Sequence, residues 1–361
     1  MQMAESRKRI EWIDALRGFT MILVVFSHVE ISGFGMAPGY ARINDLFRIL
    51  FMPLFFFVSG FIAYRSQVWQ WGLYRDSLLK KIRVLLLPML FFGLLYAVFF
   101  YAQRRGVAPV DSIVGFFNDS MKYGYWFTVV LLGMFLIYYS VSFFFKRFGL
   151  VFQQVLLSVI ALGLYMLSYN SVTHFASHQV ANWLCFYYLC LYFQFFMFGN
   201  IVACYQRRVF EVLDNKYVSG IIILLFAGLY IFYLSRSDVQ HDYVVTDVSK
   251  LSLEVICCMG VLTTVMLFRR YENAFSKKNW IGRGLQFIGE RTLDVYMIHY
   301  FFIPSIPALG VYLSTNGSIV LETVAVLLFS LLVIGFSLAV SSIIRISPWL
   351  AYWLLGVKRM C

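Results

Sequence analysis

The sequence predicts an all-α polytopic membrane protein with about ten transmembrane helices and both termini in the cytoplasm. Three observations predict it. The chain of 361 residues is 61% hydrophobic, 19% aromatic and only 13% charged, a composition outside that of soluble globular domains. Its apolar residues fall into runs near the roughly 20 residues that a helix rising about 1.5 Å per residue needs to cross a hydrocarbon core. Its cations alternate: 21 Lys and Arg lie in the termini and one set of alternate loops, seven lie in the opposite set, and Arg17 and Arg291 lie inside runs. The positive-inside rule places the richer set, with both termini, in the cytoplasm. No hydrophilic stretch is long enough for a separate soluble domain, so residues 1–361 read as a single integral-membrane domain.

The runs, in order, are 12–29, 46–64, 83–101, 124–145, 151–169, 182–204, 217–235, 250–268, 286–303 and 319–345. The first, Trp12 to Val29, follows a basic N-terminus with no small-residue cleavage site, so a removed signal peptide is not expected. The second carries Pro53, which loosens its helix, and Ser59–Gly60, which permits close approach by a neighbour. The third opens with Arg83 behind Lys80 and Lys81 and contains Pro88. The loop at 102–123 is the longest on the external side. Its partly apolar middle is expected to pack back on the bundle. The ninth run is the least regular, because Pro304 and Pro307 break it and an apolar tail continues to Leu313. A Trp/Tyr segment from Pro348 to Leu355 suits the membrane interface.

Charged and titratable groups inside a span are costly, about 2.5–3.5 kcal/mol each on insertion scales, and point to function. The first run holds Asp14, Arg17 and His28. At about 100° per residue the three fall within about 60° of one another, on one stripe of a helix. Arg17 and His28 stand about 16 Å apart along its axis, too far to bond each other but suited to two parts of one elongated ligand. A neutral imidazole at His28 suits a general base near neutral pH; a structural histidine bonded to a neighbouring helix is the alternative. Arg17 offers a planar fork of donors for phosphate or carboxylate. Asp14, its i,i+3 neighbour, suits an ion pair that orients it.

Other residues are less specific. Ser59 suits a bond to His28 or substrate as well as plain helix packing. Lys80 and Lys81 suit topology and lipid headgroups, whereas Arg83, abutting the span, suits an anion. Tyr125-Trp126-Phe127 read most simply as an interfacial aromatic belt. In the ninth run, Tyr296 and His299 share a face. His174, His178 and His241 close no metal-ligand spacing, and the six cysteines show no paired zinc pattern, so neither metal nor disulfide is expected. The net charge of +12 sits in short loops and implies contact with membrane lipid rather than nucleic acid.

Taken together, these segments resemble the membrane acyltransferase-3 family of bacterial glycan O-acyltransferases. Ten residues separate Arg17 from His28 within WIDALRGFTMILVVFSHV, and the likeness continues through FFFVSGF (55–61), Arg83 to Pro88, YWF (125–127) and IGERTLDVYMIHYF. The resemblance implies a bacterial inner-membrane enzyme moving an acyl group, usually acetyl from acetyl-CoA, to a hydroxyl of a surface or exported polysaccharide or its lipid-linked precursor. It implies no bound cofactor. His28 carries over as catalytic base or acyl carrier, Arg17 and Arg83 as donor-binding, and Ser59, Trp126, Tyr296 and His299 as pocket residues, with Asp14 in support. A serine is common in the family near Leu293-Asp294, where this chain departs from the pattern. These 361 residues show no fused extracytoplasmic esterase domain, so final transfer is expected to fall to the membrane domain or to a separate periplasmic partner. A transporter or flippase for a lipid-linked sugar is the rival class; the paired, Gly/Pro-broken spans it calls for are not evident.

Overall fold

The computed structural model describes residues 10–36, 44–65, 69–169, 178–235 and 247–357. Among them no strand occurs, and eight helices are long and apolar enough to cross a membrane. These coincide with eight of the ten predicted runs. The second run forms the 20-residue helix Asn44–Ala63 with Pro53 inside it, and its part Ile49–Ala63 is apolar. The ninth is not one helix. It divides into Trp280–Glu290, Thr292–Ile298 and a tighter turn at His299–Phe301. The break after Phe301 and the helix Pro307–Asn316 follow from Pro304 and Pro307, as expected. The break at Arg291 was not expected. The Thr292 hydroxyl lies 3.4 Å from the Gly289 carbonyl, the acceptor that a regular helix offers to the amide of residue 293.

The chain divides into two compact units. The first comprises Met1–Phe55, Arg207–Val295 and Ile303–Ile334. Its centre is the helix Glu11–His28, along which Leu16, Met21 and Val25 are wholly buried. Trp12 meets the edge of Phe210 at 6.0 Å, and Phe19 meets Phe268 at 5.4 Å. The Trp280–Glu290 helix packs along it. At their crossing a Cβ on Gly18 would collide with the Leu285 carbonyl, and one on Gly289 with the Asp14 carbonyl. Only glycine at both positions lets the two backbones touch, the small-residue packing that brings membrane helices together. A π-helical turn, Val29–Gly33, follows His28 directly. Its end is tied down where the Ile306 amide donates to the Gly33 carbonyl at 2.8 Å.

The second unit comprises Phe56–Gln206, Tyr296–Phe302 and Gly335–Cys361. A helical run of 35 residues, Trp71–Arg105, contains two π-helical turns, Ile82–Leu86 and Ala97–Tyr101. The loop at 102–123 folds back as anticipated. Its middle is the helix Pro109–Asn118, with Phe116 wholly buried and the Ser112 hydroxyl donating to the Ala97 carbonyl at 2.7 Å. Ser59–Gly60 also meets its expected neighbour. A Cβ on Gly60 would strike the Phe196 carbonyl, and one on Gly199 the Phe57 carbonyl.

Lys122, a loop cation by sequence, is only 2% exposed. Its Nζ donates to the carbonyls of Phe117 (2.8 Å), Asp119 (2.5 Å) and Asn182 (2.8 Å), joining two loops. Burial pulls the ammonium below the ordinary lysine range, and the three carbonyls offset that cost. Lys122 and Tyr123 both occupy the left-handed region, with φ of 50° and 52°, which is costly for residues with a Cβ. The Asp119 carboxylate holds the turn by accepting from the amides of Met121 (2.9 Å) and Tyr123 (3.0 Å). Lys122→Met is expected to destabilise the fold by about 2 kcal/mol or more, since it removes the donors of three carbonyls. Thermal unfolding of the purified protein measures this directly.

Candidate active site

In the first unit, the helix Glu11–His28 is unbroken, so the predicted stripe of Asp14, Arg17 and His28 exists as a face of one rod. Asp14 is buried and accepts from Arg17 Nη1 at 3.3 Å. Arg17 Nη2 donates to the Thr292 hydroxyl at 2.8 Å. The guanidinium is therefore fixed through two of its nitrogens, and its side chain stays 29% exposed. This arrangement depends on the glycine crossing, because Gly289 rests on Asp14 and lies three residues before Thr292. His28 is half-buried and ends the α-helical register at the π-turn. Such turns recur at functional sites, because the extra residue re-aims the backbone.

In the second unit the YWF segment differs from the expected aromatic belt: Tyr125, Trp126 and Phe127 are all buried. The Trp126 ring lies 4.5 Å from Tyr188 and 5.7 Å from Tyr192, and 6.3 Å from Phe56. The reason is the left-handed turn at Lys122 and Tyr123, continued by Gly124 with φ of 107°, which directly precedes the segment. Tyr296 is brought to the same place. Its hydroxyl donates to the Gly124 carbonyl at 2.5 Å and accepts from the Phe127 amide at 3.3 Å. Both bonds are structural, so this hydroxyl locks the turn. His299 shares the Tyr296 face, with ring centroids 6.0 Å apart. Its Nδ1 lies 2.8 Å from the Tyr296 carbonyl; a carbonyl only accepts, so Nδ1 carries a proton and Nε2 of the neutral ring is the acceptor.

Arg83 falls within the π-helical turn Ile82–Leu86. Its guanidinium lies over the Tyr352 ring at 4.9 Å, and its buried Nε–H has no acceptor among the described residues. Tyr352 belongs to the terminal Trp/Tyr segment, which forms the helix Pro348–Leu355. Ser59 is half-buried beside the Gly60 crossing. His178 is exposed, while His174 and His241 lie outside the described residues.

Two residues escaped the sequence reading. Thr292 carried no visible signal beyond its place next to Arg291, because its contact to Arg17 spans 275 positions. Lys122 was hidden among ordinary loop cations. Its only marker is Asp119 three residues earlier, a common turn-forming residue.

A multi-pass helical membrane protein with a carboxylate, a guanidinium and an imidazole along one apolar helix is thereby defined. The model of the acyltransferase-3 family, described as an acyltransferase domain, matches residues 10–346. The chain belongs to that family. No curated protein and no solved structure matches it.

Proposed function

We propose that this membrane acyltransferase moves an acetyl group from acetyl-CoA to a hydroxyl of a surface or exported polysaccharide, or of its lipid-linked precursor, in a bacterial inner membrane. The observation that carries this reading is the single unbroken helix with Arg17 fixed near one end and His28 at the other. The separation of about 16 Å suits the long, thin pantetheine arm between a phosphate group and a thioester. With both termini in the cytoplasm, Arg17 receives a phosphate of the donor from that side.

His28 acts as the general base. The acceptor oxygen attacks the thioester carbonyl carbon as its proton passes to the imidazole. The tetrahedral centre then collapses, the carbon–sulfur bond breaks, and the departing thiolate takes the proton back from the imidazolium. The products are an acetyl ester and free CoA, and no other reactant is consumed. Base assistance of this kind contributes roughly 10²–10⁴ in rate, and positioning contributes further.

The test is to reconstitute the protein with labelled acetyl-CoA and surface-glycan extract. Release of CoA thiol matched by alkali-labile label on the glycan is expected. Neither thiol nor label, across a series of acyl donors and acceptor extracts, would refute the reading. Transport of glycan across the bilayer without modification would establish the transporter class.

A further inference from the structure

The hydrogen bond between Arg17 and Thr292 joins residues 275 positions apart at 2.8 Å, shorter than the 3.3 Å ion pair between Arg17 and Asp14. Thr292 is buried, at 6% exposure. Its hydroxyl hydrogen has the Gly289 carbonyl as acceptor at 3.4 Å, which leaves an oxygen lone pair directed at the guanidinium. A β-branched residue is stiff at χ1, and the two glycines beneath it hold the backbones in contact. The charged partner and the neutral partner thus set the plane of the guanidinium together. The neutrality matters. A second carboxylate in place of Thr292 would cancel the charge that Arg17 offers to an incoming anion, whereas a hydroxyl orients the fork without neutralising it.

We infer that Thr292 is a positioning residue, which holds the Arg17 guanidinium in the attitude that receives a phosphate of the donor. This rests on the donor assignment made above. Thr292 touches neither donor nor acceptor; its effect reaches the reaction through Arg17.

The experiment compares wild type with Thr292→Val, which keeps the shape and loses the acceptor, and Thr292→Ser, which keeps the acceptor. Each is assayed with acetyl-CoA and with acetyl-pantetheine, a thioester donor without phosphates. Thr292→Val is expected to raise KM for acetyl-CoA roughly tenfold, the usual consequence of losing a hydrogen bond to a charged group, with kcat little changed. Thr292→Ser is expected to stay near wild type. With acetyl-pantetheine the valine variant and wild type are expected to be indistinguishable. A purely structural role would lower turnover with both donors equally, and that result overturns the inference, as does an unchanged KM for acetyl-CoA. If the valine variant does not fold, Thr292→Ala removes the same acceptor without adding apolar bulk and gives the same two readings. A wild-type protein that releases no CoA removes the proposed function and this inference together. Turnover in wild type with an unaltered valine variant removes this inference alone.

Discussion

Gly289→Ala is expected to lower the stability of the folded protein by about 3 kcal/mol, the upper end of the usual range for overpacking. The added Cβ meets a backbone carbonyl, that of Asp14, and no side chain can rotate aside to admit it. The helices Glu11–His28 and Trp280–Glu290 must separate, which stretches the 2.8 Å bond from Arg17 to Thr292. Activity with acetyl-CoA falls with it. Gly18→Ala is expected to behave alike, because its Cβ meets the Leu285 carbonyl. The helix carries its own control. Gly284 has nothing within reach of a Cβ, so Gly284→Ala is expected to be neutral or to stabilise by up to about 1 kcal/mol through helix propensity. The buried thiols Cys185, Cys190 and Cys257 suit a thiol-reactive dye as the probe of thermal unfolding. Equal midpoints for Gly284→Ala and Gly289→Ala would contradict the packing described for this crossing.

His28→Ala is expected to reduce kcat with acetyl-CoA by roughly 10²–10⁴-fold while leaving KM for the donor near wild type. Its imidazole is the group assigned to the acceptor proton, and the parts that hold the donor phosphate lie about 16 Å away along the helix. His28 is half-buried and ends a helix that its neighbours already pin through Gly33 and Ile306, so the fold is expected to survive. Steady-state kinetics on a variant with an unchanged unfolding midpoint separate the two effects. A variant that keeps wild-type kcat would retain the acyltransferase class and remove His28 as its base.

Much of the fold was legible because a bilayer imposes a length on each apolar run, and eight runs became helices of that length. The proline-driven break near Pro304 was legible for the same kind of reason, since the missing N–H acts locally. The break at Arg291 was not. A threonine hydroxyl beside a carbonyl three residues back, as at Thr292 and Gly289, is compatible with a continuous helix as well as a broken one. Asp14 and Arg17 could be paired from helical spacing alone, and they are paired. Their third partner, Thr292, is set by tertiary packing and had no local trace. Trp126 shows the limit from the other side. An aromatic cluster at a helix start has the same composition whether it faces headgroups or protein, and only the left-handed turn at Lys122 and Tyr123 decides that it is buried. Conversely, the close approach at Gly60 was legible, because a missing side chain next to a small one admits a neighbouring backbone.

The measurement that bears most directly on the central claim crosses two variants with two donors. Arg17→Ala and His28→Ala are each assayed for acetyl transfer from acetyl-CoA and from acetyl-pantetheine. If one helix carries a phosphate anchor and a reacting end, His28→Ala loses activity with both donors, and Arg17→Ala loses it only with the donor that has phosphates. Equal losses for Arg17→Ala with both donors, or full activity for His28→Ala with either, would contradict that division of labour.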